Sequence, residues 1–241
     1  MKALILAGGR GNRINELSNN QNKCMITVHE RPAISHSLDY ALSIDPTEIV
    51  VVVGYKAETV INYFGNTYRG TPIRYVIQQE QRGLVHALQC AQASIGDDDF
   101  FLMLGDEILK NPRHRELVDA FLANDGAFCY CGVVKVEDRS IIRKTYTLIQ
   151  SDDNEIYRLV EKPRNPLNDF QGTGQCLFKN AIFNYIEFTP IHHERNEKEL
   201  PDLIQCAIDD GRLVKSYIIC DRYTNINTYD DLRIANSFFE T

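Results

Sequence analysis

A short loop near the amino terminus carries residues that could bind phosphate. Residues 1–7 form an apolar run that suits a buried strand, and residues 8–13 read Gly-Gly-Arg-Gly-Asn-Arg. The glycines let the backbone approach a ligand closely and turn without a Cβ penalty, while Arg10 and Arg13 add positive charge. Because α/β proteins hold phosphates where a strand ends in such a loop, the sequence predicts a phosphate-binding site here.

Three kinds of phosphate compound could bind such a loop. A P-loop needs Gly-Lys-Ser/Thr after four spacer residues, and the chain does not have that sequence here. A dinucleotide fingerprint needs a third glycine after Gly9 and Gly11, but Ile14 stands in its place. The loop therefore favours a nucleoside triphosphate, and a dinucleotide-dependent oxidoreductase is kept as an alternative.

Composition describes an ordinary globular chain of 241 residues, of which 44% are hydrophobic and 24% are charged. The net charge of −7 argues against nucleic acid or an anionic membrane as a partner. No run approaches the roughly 20 apolar residues of a membrane span, and no signal peptide is visible. The 7 cysteines are scattered without a C-x-x-C pair, which predicts free thiols, a cytoplasmic protein and no zinc site.

Strands and helices alternate through the first half of the chain. The hydrophobic patterns predict strands at residues 1–7, 49–53, 73–77 and 100–104, and helices at residues 32–44, 57–64 and 83–93. This alternation indicates βαβ units. We therefore expect an α/β fold with a Rossmann-like, mostly parallel twisted sheet flanked by helices.

The second half of the chain changes this rhythm. Its patterns predict strands at residues 127–136, 145–150, 156–160 and 213–220, and helices at residues 180–186, 199–209 and 229–239. We expect these strands to form a small mixed addition to the same sheet. The chain is thus predicted to be one domain, residues 1–241, with a nucleotide-binding half at 1–125 and a half at 126–241 that completes the cleft.

Several blocks of the sequence resemble the sugar-phosphate nucleotidyltransferases. Residues 2–13 resemble the family signature L-A-G-G-x-G-T-R, and Lys23 occupies the lysine position of the P-K that follows it. The other similar blocks are Gln78 with Gly83-Leu84, Gly105-Asp106, Glu161-Lys162-Pro163, Thr173-Gly174 and the tail from Asn225 to Leu232. The glucose-1-phosphate thymidylyltransferases and uridylyltransferases are the most similar branch, and the resemblance covers nearly the whole chain.

The resemblance implies a reaction between two phosphates. An oxygen of a sugar-1-phosphate attacks the α-phosphorus of a nucleoside triphosphate, and pyrophosphate leaves. The resemblance assigns catalysis to Arg13, Lys23 and Lys162, and Mg²⁺ binding to Asp106 and Asn225. It assigns the nucleotide to Leu6, Ala7, Gly8, Gly9, Gly11, Gln78 and Gly83, and the sugar phosphate, held by the second half of the chain, to Glu161, Lys162 and Gly174.

The nucleotide base is predicted to be a pyrimidine. The amide of Gln78 can pair with a pyrimidine edge, and the backbone N–H of Gly83 can add a second bond. The purine-using branches tend to have G-T-A or G-T-G where this chain has Gly83-Leu84-Val85. This difference favours UTP, dTTP or CTP and does not separate them.

Several positions depart from the family pattern. Asn12 stands where threonine is usual, and Asn22 stands where proline is usual. Asn225 replaces the aspartate of most thymidylyltransferase-like enzymes, although acetylglucosamine-1-phosphate uridylyltransferases also use asparagine there. An amide oxygen is a legitimate ligand without charge, and Glu107 and Asp221 are carboxylates that could compensate for the missing charge.

Two further expectations concern Lys162 and the end of the chain. Pro163 is expected to hold Lys162 in extended geometry. The chain ends at Thr241, soon after the tail block, without the C-terminal extension or hexapeptide repeats of some relatives. A single-activity enzyme is therefore expected.

The sequence leaves several alternatives open. The same chemistry could use a purine nucleotide, or a non-sugar phosphate or phosphonate as the acceptor. A catalytically silent regulatory protein that binds nucleotide sugars is a further alternative, because Asn225 and Glu107 could weaken the metal site. The expected partners are the two substrates, and the sequence leaves open whether the chain forms a homo-oligomer.

Overall fold

One eight-stranded sheet runs through the molecule and positions the other elements. The computed structural model describes residues 1–9 and 22–240. The strands of this sheet are β1 (Lys2–Ala7), β4 (Ile49–Val53), β5 (Thr67–Tyr68), β6 (Thr71–Ile77), β7 (Phe100–Leu104), β9 (Ala127–Lys135), β12 (Phe170–Phe178) and β15 (Leu213–Ile218). They follow the order β15-β9-β12-β7-β1-β4-β6-β5 across the sheet. Both halves of the chain therefore contribute strands to it, and the proposed division at residue 125 stays a prediction.

Four two-stranded ribbons lie outside this sheet in the described part of the chain. They pair β2 (Thr27–Val28) with β3 (Arg31–Pro32), β8 (Glu107–Lys110) with β16 (Arg222–Asn225), β10 (Tyr146–Gln150) with β11 (Ile156–Glu161), and β13 (Ile191–His192) with β14 (Glu197–Lys198).

Six α-helices occur in the described residues, and their ends follow local sequence signals. They are α1 (Ala33–Leu42), α2 (Ala57–Phe64), α3 (Leu84–Ile95), α4 (His114–Leu122), α5 (Leu200–Asp209) and α6 (Tyr229–Ser237). Helix α6 begins after Thr228, whose hydroxyl accepts a hydrogen bond from the Asp231 backbone N–H at 3.2 Å. Helix α3 lies between Gly83 and Gly96, which have φ angles of +89° and +64° that favour glycine.

The sheet separates two hydrophobic cores. Alternate residues of a strand point to opposite faces, so Leu4 and Leu6 of β1 join the core with α3 and α5, while Ala3 and Ile5 join the core with α1 and α4. All four side chains are buried. Burial on both faces explains why the central strands are apolar throughout rather than alternating.

Strand direction decides where the polar residues collect. Strands β4 and β7 run parallel to β1, and β6 runs parallel to β4, so their carboxyl ends lie at one edge of the sheet. Strand β12 runs antiparallel to β7, with Cys176 opposite Leu102. The earlier residues of β12, including Gly174, therefore lie beside the carboxyl end of β7.

The ribbon of β8 and β16 continues this edge. Its antiparallel register places Asn225 opposite Glu107, and the Ile226 backbone N–H donates to the Asp106 carbonyl at 3.0 Å. Two chain segments more than a hundred residues apart are thus held side by side where the metal ligands were predicted.

The predicted fold class is confirmed, and the predicted bounds of β4, α2 and β7 are the observed ones. The helix expected at residues 180–186 is present as a 3-10 helix over Asn180–Tyr185. The sequence patterns did not indicate β8, α4, β12 or β16. Within the described residues, no helix has both the length and the apolar character that a membrane span requires.

We expect His114 to make the fold sensitive to mild acid. His114 is buried against Tyr40, with ring centroids 4.9 Å apart, and burial lowers its pKa to about 4 from 6.5. Between these values the unfolded chain binds a proton that the folded chain does not, so stability falls as the pH drops below about 6.5. In urea unfolding experiments, His114 should lower the free energy of unfolding by about 2 kcal/mol as the pH falls from about 7.5 to 5.

The matched comparison is His114→Gln against His193→Gln, since the His193 side chain is 83% exposed. The first variant should lose most of this pH dependence and the second should keep it. Equal pH dependence in wild type and His114→Gln would contradict the assignment.

Candidate active site

The end of β1 forms the described beginning of the glycine loop. Leu6, Ala7 and Gly8 are buried and Gly9 is exposed. A Cβ on Gly8 would lie 2.8 Å from Gln78 Oε1, so any larger residue here would displace the Gln78 amide. The predictions for Arg10, Gly11, Asn12 and Arg13 fall outside the described residues.

Asn22 anchors the chain where it returns from this loop. Its Nδ2 donates to the carbonyls of Ala7 and Tyr55, each at 2.8 Å, and its Oδ1 accepts from the Cys24 backbone N–H at 2.8 Å. The side chain is fully buried. Asn22, which stands where the family has proline, thus holds the neighbouring Lys23 near the ends of two strands. Its position in a polar stretch of the sequence did not indicate this function.

The structure brings Lys23, Asp106 and Asn225, three of the residues assigned from the sequence, into contact. The ammonium of Lys23 forms an ion pair with Asp106 Oδ2 and donates to Asn225 Oδ1 at 3.2 Å. It also donates to Asn227 Oδ1 at 2.9 Å, a residue that the sequence analysis did not single out. The three oxygens surround one cation position at the end of β7.

Glu107 does not compensate for the neutral Asn225. Its buried carboxylate accepts hydrogen bonds from the Gly174 backbone N–H at 2.9 Å, Gln175 Nε2 at 2.6 Å and Tyr223 Oη at 2.7 Å. Burial raises its pKa to about 7, although these hydrogen bonds act to lower the pKa. The carboxylate therefore joins β8, β12 and β16 to one another rather than facing the cation position.

Asp221 is also engaged elsewhere. It pairs with the guanidinium of Arg113 and accepts from Asn111 Nδ2 at 2.7 Å. These partners hold its pKa below the ordinary value. The expectation that Asp221 could add charge to the Asn225 site is not supported by this geometry.

A cavity of about 200 Å³ adjoins the cation position. Glu161, Lys162, Gly174 and Asn225 all contribute to its lining, so one of the two predicted metal ligands, Asn225, meets the predicted sugar-phosphate residues there. The Lys162 ammonium lies 3.0 Å from Glu161 Oε1. A Cβ on Gly174 would lie 2.3 Å from Leu104, so the packing of Leu104 leaves no room for a side chain at this position.

The predicted extended geometry of Lys162 is wrong. Its φ is +43°, in the left-handed region that few residues other than glycine adopt. The Lys162 backbone N–H donates to the Thr145 carbonyl at 2.6 Å, which fixes the turn that follows β11. This tertiary bond outweighs the local preference set by Pro163.

Arg195 is a cationic residue beside Glu161 that the sequence analysis did not single out. Its guanidinium lies 3.6 Å from Glu161 Oε1 and 2.6 Å from Glu199 Oε1. Neither contact has the geometry of a hydrogen bond. The Nε and Nη2 atoms of Arg195 are therefore buried without a hydrogen-bond partner among the described residues. Arg195 lies between β13 and β14 in a polar stretch without periodicity, and the only sequence signal was its charge.

The predicted base-binding residues also come together. Gln78 Nε2 donates to the Gly83 carbonyl at 3.1 Å and lies 3.0 Å from His86 Nδ1. Because a carbonyl only accepts, this contact orients the amide with Oε1 toward Gly8. Glu197 packs over Gly83 so closely that a Cβ there would lie 2.8 Å from its carboxylate.

Comparison with known proteins identifies the family. A family model described as Nucleotidyl transferase matches residues 2–241. The chain belongs to this family. The resemblance found in the sequence is confirmed, and so is the inference that the protein is a nucleotidyltransferase.

Two curated relatives of this nucleotidyltransferase are named for the transfer of different nucleotides. The UTP–glucose-1-phosphate uridylyltransferase AglF of Haloferax volcanii is 34% identical over 216 residues, which cover 89% of this chain and 86% of the relative. A glucose-1-phosphate thymidylyltransferase of Streptomyces griseus is 29% identical over 238 residues, which cover 98% of this chain but only 65% of the relative.

A solved UDP-glucose pyrophosphorylase with bound UDP-glucose has the same fold as this nucleotidyltransferase. The TM-score is 0.88 at 18% identity, and the match covers 98% of this chain and 97% of the other.

The donor set of the nucleotidyltransferase site suits a hard divalent cation. Asp106 supplies a carboxylate and the two asparagines supply amide oxygens, which are ligand types that Mg²⁺ accepts. The Lys23 ammonium already stands among these oxygens as a cation. The described residues contain no group of three His, Cys, Asp or Glu side chains that could hold a metal.

Glu107 should contribute to stability as a cross-link between strands. Replacing Glu107 by Gln puts an NH2 donor where a carboxylate oxygen accepted hydrogen bonds. This change should lower the free energy of unfolding by about 1–3 kcal/mol at a pH near 8, where the carboxylate is ionised. Tyr223→Phe should cost less because it removes only one donor. Glu194→Gln, at a side chain that is 76% exposed, is the control. Urea midpoints unchanged in both cross-link variants would contradict this function.

Proposed function

We propose that this nucleotidyltransferase transfers a nucleoside monophosphate from a pyrimidine nucleoside triphosphate to a sugar-1-phosphate and releases pyrophosphate. The observation that carries the proposal is the shared cavity, in which Asn225 of the cation position meets Lys162 and Glu161. The two curated relatives are named for UTP or thymidylyl transfer to glucose-1-phosphate. Together these support two phosphate substrates that meet at the end of β7.

The reaction needs charge and position more than proton transfer. An oxygen of the sugar phosphate forms a bond to the α-phosphorus, and the bond from that phosphorus to the oxygen bridging to the β-phosphate breaks. The electron pair leaves with pyrophosphate. Both groups are anionic, so cationic side chains must bring them together and stabilise the charge on the leaving group.

Lys162 and Arg195 are proposed to bind the sugar phosphate. Buried N–H groups of a guanidinium are costly without a hydrogen-bond partner. Arg195 has two such nitrogens, Nη2 at 3.6 Å from Glu161 Oε1 and Nε at 2.6 Å from Glu199 Oε1. A phosphate could accept from both in the bidentate geometry that arginine favours. Glu161 would then be free to accept from a sugar hydroxyl.

The nucleotide is proposed to lie along the end of β1. The backbone of Gly8 and Gly9 would lie against it, Lys23 would hold the α-phosphate and the leaving pyrophosphate, and Arg13 keeps its sequence-based assignment to the triphosphate. Gln78 presents Oε1 beside Gly8, because its Nε2 is engaged by the Gly83 carbonyl. An acceptor at this point favours UTP or dTTP over CTP, since cytosine lacks the N3–H of uracil and thymine.

We propose Mg²⁺ as the cofactor, held by Asp106 and Asn225. The cation would neutralise phosphate charge and polarise the α-phosphate. We also propose a cytoplasmic enzyme, a location supported by the state of the cysteines, all 7 of which are free thiols.

A substrate screen tests the proposal. Purified protein with Mg²⁺ should release pyrophosphate from UTP or dTTP in the presence of a sugar-1-phosphate, and more slowly from CTP. Each nucleotide should be tested with a panel of sugar-1-phosphates and with non-sugar phosphates, without acceptor as the blank. The proposed function would be refuted if no combination of nucleotide and acceptor released pyrophosphate.

Substitutions on the sugar-phosphate side should act on the acceptor. Lys162→Met and Arg195→Met should each lower kcat/KM for the sugar phosphate by about 100-fold, with less effect on the KM of the nucleotide, because each removes a charge-assisted phosphate contact. Lys179→Met removes an ion pair with Asp99 and is the control. An unchanged KM and kcat for the sugar phosphate in both site variants would show that this cavity is not its binding site.

A further inference from the structure

Lys23 is held by three oxygens that belong to two separate chain segments. Its ammonium pairs with Asp106 and donates to the side-chain oxygens of Asn225 at 3.2 Å and Asn227 at 2.9 Å. An ammonium has three N–H donors, and each meets one oxygen. The side chains of Lys23 and Asp106 are only 11% and 15% exposed, so little water competes for these contacts.

The two asparagine amides are oriented by their own hydrogen bonds. Asn227 Nδ2 donates to the side-chain oxygen of Asn225 at 3.0 Å and to its carbonyl at 3.3 Å. The Asn227 side-chain oxygen must therefore face Lys23. The Asn227 backbone N–H donates to Asp231 Oδ2 at 3.1 Å, at the capped start of α6, which fixes the position of this residue.

One carboxylate and two amide oxygens converge on a single point, as in a site for a hard divalent cation. An ammonium and a divalent cation cannot share that point, because their charges repel. Lys23 has a flexible four-carbon stem, so it can leave when another anionic acceptor is offered. Phosphate oxygens of an incoming nucleotide are such acceptors.

We propose that Asn227 is a third protein ligand of the divalent-cation site formed by Asp106 and Asn225, and that Lys23 fills this site until a nucleotide arrives. The cation then enters together with the nucleotide, whose phosphates take over the ammonium. The step that involves the nucleotide rests on the proposed function, whereas the competition between Lys23 and the cation does not.

Binding of Mn²⁺ to the full chain tests the competition without turnover. Free Mn²⁺ is measured by electron paramagnetic resonance in the absence of nucleotide. Lys23→Met should bind Mn²⁺ at least 10-fold more tightly than wild type. Lys23→Arg keeps the charge and should stay close to wild type, as should Lys179→Met, which removes a lysine paired with Asp99 away from the site. Thermal unfolding of each variant verifies that it is folded.

A second comparison tests Asn227. Adding Asn227→Ala to Lys23→Met should weaken Mn²⁺ binding by about 10-fold relative to Lys23→Met alone. The control adds Asn236→Ala, since Asn236 lies on α6 with its amide bonded to Leu232 and His29. Unchanged Mn²⁺ affinity on removal of Asn227 would show that it is not a ligand.

The nucleotide step has its own measurement. Adding UTP to wild type and Mn²⁺ should raise the water-proton relaxation rate above that of Mn²⁺ and UTP alone, as a ternary complex forms. Two results would overturn the inference: wild type that binds Mn²⁺ as tightly as Lys23→Met without nucleotide, or no relaxation enhancement with UTP. The predicted pattern of Mn²⁺ affinities and enhancement in a protein that releases no pyrophosphate would support the cation site and refute the proposed function.

Discussion

The partly buried contact between Lys23 and Asp106 is the interaction on which the rest of the site depends. A buried ion pair is stable only when further hydrogen bonds satisfy its remaining donors and acceptors. Asn225 and Asn227 provide them, at 3.2 and 2.9 Å from the ammonium. These residues come from the return of the glycine loop, the end of β7 and the tail, so the contact can form only when all three are correctly placed.

The surrounding structure explains how this placement is reached. Parallel strands bring the ends of β1 and β7 to one edge, and the β8–β16 register fixes Asn225 beside them. Glu107 extends the same constraint to β12, because its carboxylate accepts from the Gly174 backbone N–H. Movement of the proposed sugar-phosphate side would therefore disturb the strands that carry the proposed metal ligands. The site is one connected unit rather than two adjacent pockets.

Sequence reasoning succeeded where the signal was local. The apolar runs indicated the central strands, and the family blocks placed Lys23, Asp106 and Asn225, which do meet. It failed where tertiary contacts decide: β8 and β16 are 4 residues each and pair across more than a hundred residues. Asn22 and Arg195 lie in polar stretches without periodicity. Lys162 adopts a left-handed backbone because a bond to Thr145 outweighs its local preference.

The lack of charge on Asn225 affects how strongly a cation could bind beside Lys23. With Lys23 in place, the cluster of Asp106 and two amides carries no net charge, so a free dication gains little by entering. At an effective dielectric constant of about 20, a dication and an ammonium about 4 Å apart repel by roughly 8 kcal/mol. A triphosphate changes the balance because it brings several negative charges and new acceptors for Lys23. At the proposed cation site, an amide in place of a second carboxylate would thus make cation binding depend on the nucleotide.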